Sequence, residues 1–182
     1  MTSELVLINQ LKDVNSRNRA FGTLVKNYQE RLYWHIRRIV MVHDDADDVL
    51  QNTFIKIFRN IENFKGESAL YSWMYRIATN EAINFLNAKS RKMGVTDEAL
   101  QMRMAAELRS DLYFDGDEIQ FKLQKAIALL PARQKLVFNM RYFDDLSYNE
   151  ISQILEISEG SLKASYHHAV KKIEASLREN EE

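Results

Sequence analysis

The stretch Leu146–Ala169 constrains the chain most, because it holds two helix starts within a short span. Ser147 followed by Glu150 forms a capping box, in which each side chain satisfies one orphan backbone donor. Ile151, Ile154 and Leu155 then give an i, i+3, i+4 apolar stripe. Ile157 sits in a break, and Ser158 is suited to cap a second helix. On that helix Leu162, Tyr166, Ala169, Val170, Ile173 and Leu177 share one face, while Lys163, His167, Lys171 and Lys172 reach outward. Two short helices, a tight turn and an exposed basic, hydroxyl-rich face make a helix-turn-helix, whose second helix enters a DNA major groove. A plain helical hairpin is the competing reading.

The rest of the chain is also expected to be helical, since 182 residues contain 1 Pro and 5 Gly. The absence of cysteine removes disulfides and thiolate metal sites and fits a reducing cytoplasm. The N-terminus carries no signal pattern, and no apolar run approaches the ~20 residues of a membrane span, so an integral membrane protein is not expected. The net charge of −1 conceals an uneven distribution. Residues 1–95 carry 14 Lys/Arg against 10 Asp/Glu, residues 96–118 carry 2 against 7, and residues 119–182 carry 9 against 9.

A short helix is predicted over 4–11, then a long amphipathic one bearing Phe21, Leu24, Tyr28, Leu32, Ile36 and Val40. After a break at His43 a third buries Val49, Phe54, Ile57 and Ile61. The loop Phe64–Ser68 has Gly66 as its hinge and Ser68 as the expected cap of a helix running to about Ala88. Periodicity fades over 94–118, which reads as a flexible acidic linker with fleeting helix. A helix over 119–130 stops at Pro131, and another precedes the helix-turn-helix. The expected fold is all-α, with two small helical domains (1–93 and 119–182) joined by that linker.

Three clusters are candidates for function. Asp44, Asp45, Asp47 and Asp48 could bind a divalent cation, since hard cations take carboxylate oxygens. Helical spacing splays them, however, and no partner His or Glu recurs at a fixed spacing. Favouring the positive end of a helix dipole, or docking a basic partner, accounts for them without a metal. From Phe64 to Asn80, Tyr71, Trp73 and Tyr75 interleave with Lys65 and Arg76, a composition suited to stacking single-stranded bases, although Trp73 also suits a core. His35, His43, His167 and His168 form no ligand set, and no phosphate loop or nucleophile motif is present. No cofactor, metal, small-molecule substrate or catalysis is expected.

In order along the chain, these motifs resemble the extracytoplasmic-function (ECF) group of bacterial RNA polymerase sigma factors. Residues 21–88 resemble the second region of that family, and residues 121–177, with Leu130-Pro131 and Leu146–Ile151, resemble its fourth. The resemblance implies that Asp44, Asp45, Asp47, Asp48, Gln51 and Asn52 dock on core RNA polymerase. It implies that Phe64, Lys65, Gly66, Ser68, Ala69, Trp73, Arg76 and Asn80 open the minus-ten element of promoter DNA and capture a flipped base. Ser158, Glu159, Gly160, Ser161, Lys163, Ser165, His167 and His168 would read the minus-thirty-five element, and an anti-sigma factor is the usual further partner. The chain departs from the family pattern at Asn84, where an acid is common, and at Ser165, His168 and Val170, where arginines are. A stand-alone helix-turn-helix regulator is the alternative, but residues 1–92 lack the long heptad seam to dimerise it.

Overall fold

The computed structural model describes residues 3–110 and 118–179, without the side chains of Ser3, Arg109 and Ser110. Their regular secondary structure is helical throughout. The first half comprises α1 (Ser3–Lys12), α2 (Arg17–Val40), α3 (His43–Asn60) and α4 (Leu70–Met93). Then come α5 (Asp97–Ala106), α6 (Glu118–Ala128), α7 (Ala132–Tyr142), α8 (Tyr148–Leu155) and α9 (Glu159–Glu179).

Local chemistry explains most of the breaks. α2 ends at Met41, whose left-handed φ of 64° turns its N–H back onto the Arg37 carbonyl at 2.8 Å. Extended Val42 then starts α3, with Asp44 and Asp45 in its first turn. Gly94, at φ 64°, closes α4 by a similar turn, five residues beyond the expected end near Ala88. The start of α4 departs from expectation. Ser68 does not cap it; Ala69 holds the cap position, and the Leu70 N–H donates to Glu4 Oε1 of α1 at 2.8 Å.

The first half packs α2, α3 and α4 around Leu24, Leu32, Ile36, Val49, Ile57 and Met74, all nearly or fully inaccessible. That core does not stop at the half's edge. Val137, Met140, Leu146, Ile151, Ile154 and Leu162 of the second half continue it. A smaller cluster of Ile127, Leu130, Phe138, Ala169 and Ile173 joins α6, α7 and α9.

The stretch expected to be a flexible linker is ordered helix over Asp97–Ala106. Thr96 caps it by accepting from the Ala99 N–H at 3.2 Å. Its apolar residues Leu100, Met104 and Ala105 are buried against Met41 and Ala128. The weak periodicity concealed a narrow apolar stripe whose partners come from both halves. A single tighter helical turn, Glu107–Ser110, follows it, and residues 111–117 lie outside the described residues.

Candidate nucleic-acid and docking surfaces

The acidic turn of α3 stands mostly in solvent. Asp44, Asp47, Asp48, Gln51 and Asn52 are exposed, because Ala46, Val49 and Thr53 take the buried stripe between them. Asp45 is half-buried and paired with Lys89 at 2.5 Å, and Asp47 lies 3.4 Å from His43. The face therefore presents Asp44, Asp47 and Asp48 outward and spends Asp45 on fastening α3 to α4. Asp47, Asp48, Leu50, Gln51 and Phe54 line a shallow groove against Val25 and Gln29 of α2. Among the described residues no group of three His, Asp or Glu could hold a metal ion.

The loop before α4 divides its residues. Lys65 and Gly66 are exposed, Ser68 and Ala69 partly so, and Gly66 sits at φ +75°, where a side chain would be strained. Phe64 is 3% exposed and corrects the expectation of an accessible ring. It follows Ile57 and Ile61 at helical intervals and packs on Trp73, with ring centroids 5.2 Å apart. Lys12 Nζ donates to its carbonyl at 2.6 Å. Trp73 is half-buried, and Asn80 is exposed.

Arg76 is occupied by the second half. Its Nη2 donates to the Gln153 carbonyl at 2.5 Å, and its Nη1 lies 3.0 Å from Glu156 Oε1. One turn earlier, the Tyr71 hydroxyl donates to the Glu150 carboxylate. The face expected to meet single-stranded DNA thus partly abuts α8.

The same seam is fastened deeper by Asp144, whose side chain is 3% exposed. Its carboxylate accepts from Arg38 Nη1 at 2.8 Å and faces His35 Nδ1 at 3.1 Å, while its carbonyl accepts from Arg31 at 3.0 Å. His35 is itself buried, with its Nε2 2.8 Å from the Thr79 hydroxyl. Burial, reinforced by the Asp144 charge, pushes the Tyr75 hydroxyl well above its ordinary range. Sequence reasoning passed over Asp144 and treated His35 only as one of four scattered histidines, since Asp144 stands 109 residues from His35 and 106 from Arg38.

In the helix-turn-helix, Ser147 Oγ accepts from the Glu150 N–H at 3.2 Å, and Glu150 Oε2 accepts from the Ser147 N–H at 2.6 Å. The turn places Glu156 at φ 58°, and Ser158 Oγ faces the Ser161 N–H at 3.4 Å. Ser158, just before α9, is exposed, and so are Glu159, Gly160, Lys163, His167, His168, Lys171 and Lys172 on the helix itself. Ser165 corrects its expectation: it is 9% exposed, and its hydroxyl donates to the Ser161 carbonyl at 2.9 Å. It stands three residues after Leu162 and four before Ala169, on the buried stripe. Arg133 of α7 was missed; its Nη2 donates to Ser161 Oγ at 2.6 Å and adds a cation beside the start of α9.

A family model described as Sigma-70 region 2 matches residues 24–92, and one described as Sigma-70, region 4 matches residues 120–173. The RNA polymerase sigma-H factor of Pseudomonas aeruginosa is 33% identical over 168 residues, covering 88% of this chain and 87% of its own length. The ECF RNA polymerase sigma-E factor of Haemophilus influenzae is 32% identical, covering 88% of each. Among solved structures, CnrH in complex with the cytosolic domain of CnrY superposes with a TM-score of 0.70 at 19% identity, covering 96% of this chain and 97% of that one. The sigma factor RpoE of Bartonella quintana, in complex with the anti-sigma factor NepR, gives a TM-score of 0.67 at 18% identity, covering 87% and 96%. An acidic helix face, an aromatic-lined loop and a capped helix-turn-helix, in that order and with relatives this similar over nearly the whole chain, place it in the sigma-70 family, among the ECF sigma factors.

Proposed function

We propose that the chain binds core RNA polymerase through the α3 face, with Asp44, Asp47, Asp48, Gln51 and Asn52 meeting a basic surface. Exposed Lys65, Gly66 and Asn80, with the edge of Trp73, would hold the parted minus-ten strand. The start of α9, with Lys163, His167, His168 and the added Arg133, would read minus-thirty-five duplex. Residues 1–93 and 119–182 are the corresponding functional units. The chain contributes binding and strand capture in the cytoplasm, and the chemistry belongs to polymerase. An anti-sigma factor is a further partner in this reading, as NepR is for RpoE.

The observation that carries this reading is the exposed basic face of α9 on a capped helix-turn-helix, in one chain with the acidic face of α3. Elements about 25 base pairs apart lie about 85 Å apart along the duplex, at about 3.4 Å per pair. A packed 182-residue chain has a radius of gyration of about 16 Å, hence a diameter near 40 Å. The halves must part for both elements to be read at once, which frees Arg76 from Glu156. Both polar atoms of the buried Asn139 amide, and the Ser72 hydroxyl, have no hydrogen-bond partner among the described residues, so the interior carries polar groups that a well-sealed core would satisfy.

The test is permanganate footprinting of promoter thymines in holoenzyme. Wild type opens the duplex; Asn80→Ala keeps polymerase and duplex binding, forms less open complex, and recovers on a template mismatched across the minus-ten element. Opening by Asn80→Ala equal to wild type would remove Asn80 from the pocket. No opening of any promoter by wild type would defeat the reading as a whole.

A further inference from the structure

Beside the polar seam lies a largely apolar space. Helices α2, α4, α5 and α7 border a cavity of about 150 Å³ walled by Ile39, Leu86, Leu100, Met104 and Leu136. Lys135 of α7 also lines it and is 5% exposed. Among the described residues its amine has no hydrogen-bond or ion-pair partner. Burial pushes that amine down to about 8. Asp97, at the rim, is engaged by the Ser90 hydroxyl at 2.7 Å. Gln101 closes the α5 side by donating to the Leu130 carbonyl at 2.6 Å.

Buried charges are normally paired, because leaving one in apolar surroundings is costly. A largely apolar space of about 150 Å³ accepts a body the size of benzene. We propose that this cavity is a binding site for a small monocarboxylate, its apolar body among the Leu and Met side chains and its carboxylate on Lys135 Nζ. A lone amine, with no guanidinium beside it and Asp97 at the rim, matches one negative charge and disfavours the second charge of a phosphate. The walls come from α2 and α4 of the first half and α7 of the second. A ligand seated there stabilises the packed arrangement, as anything that binds one state preferentially does. It therefore acts as a brake on the parting that promoter recognition needs. The brake rests on the sigma-factor reading; the site does not.

The probes are benzoate and hexanoate, with toluene as the body lacking a head group, titrated into the full chain by ligand-observed NMR. Wild type binds benzoate saturably at one site. Lys135→Met weakens benzoate about tenfold or more, as loss of a charge-assisted hydrogen bond does, and leaves toluene unchanged. Met104→Trp fills the space and abolishes all three. In wild type the benzoate affinity falls as pH rises through about 8, because the carboxylate stays ionised while the amine loses its charge. This pH series decides the matter on wild type should Lys135→Met not fold. No saturable binding of any probe, equal benzoate affinity in Lys135→Met, or an affinity flat from pH 7 to 9 would overturn the site. Benzoate that binds but leaves association with core polymerase unchanged would overturn the brake alone, and none of the binding arms requires polymerase.

Discussion

The turn of the helix-turn-helix and the seam between the halves are both fastened by polar contacts, yet they differ in reach. In the turn the partners stand three residues apart, Ser147 with Glu150 and Ser158 with Ser161. In the seam they stand 77 to 113 residues apart, Arg76 with Gln153, Arg38 and His35 with Asp144, Arg31 with the Asp144 carbonyl. A local contact costs little loop entropy and travels with its helix wherever the half goes. A distant contact exists only while the packed arrangement lasts. The helix-turn-helix thus keeps its local contacts without the seam, as the proposed parting of the halves requires.

The sharpest break in that contrast is Asp144→Ala. It leaves the Arg38 guanidinium and His35 without their acceptor, and removing one partner of a buried pair costs about 3–5 kcal/mol. The cost should fall on the packed arrangement and leave each half helical. Because the chain has no cysteine, spin labels at Val14→Cys and Glu174→Cys report the separation cleanly, and both positions are exposed. The distance distribution should broaden at unchanged helical circular dichroism; a narrow distribution would show that the seam does not depend on Asp144.

Ser147→Ala should act on the opposite side of the comparison. Losing the cap costs about 1 kcal/mol, felt in α8. Hydrogen exchange at the Glu150 amide should quicken while the label distance stays fixed, and a shifted distance would mean that turn and seam are one unit. Glu156→Gln is the mildest. Its pair with Arg76 joins side chains 73% and 39% exposed, so it contributes less than about 1 kcal/mol and is screened by salt. The mutant and wild type should differ slightly in label distance at low salt and coincide at high salt; a difference that persists at high salt would mean the pair is stronger than its exposure allows.

Legibility followed the same division of reach. The capping box, the Ser158 turn and the stop at Pro131 were readable because each depends on neighbours in sequence. Ser165 and Phe64 were assigned to DNA by motif, although their spacing from Leu162 and Ile61 already put them on buried stripes. Arg133 carried no local signal, since nothing in its surroundings announces that α7 ends beside Ser161.

The sequence by itself determined that the chain is helical, where most helices begin and end, and which faces of α3 and α9 meet solvent. Periodicity and capping are properties of residues within a turn or two of each other, so they need no partner to be read. Only the tertiary structure decided that α5 is a brace, that Asp144 gathers Arg38 and His35, and that Lys135 faces an apolar cavity. Each of those depends on side chains converging from helices far apart in the chain, where what decides is the shape of the shared interior.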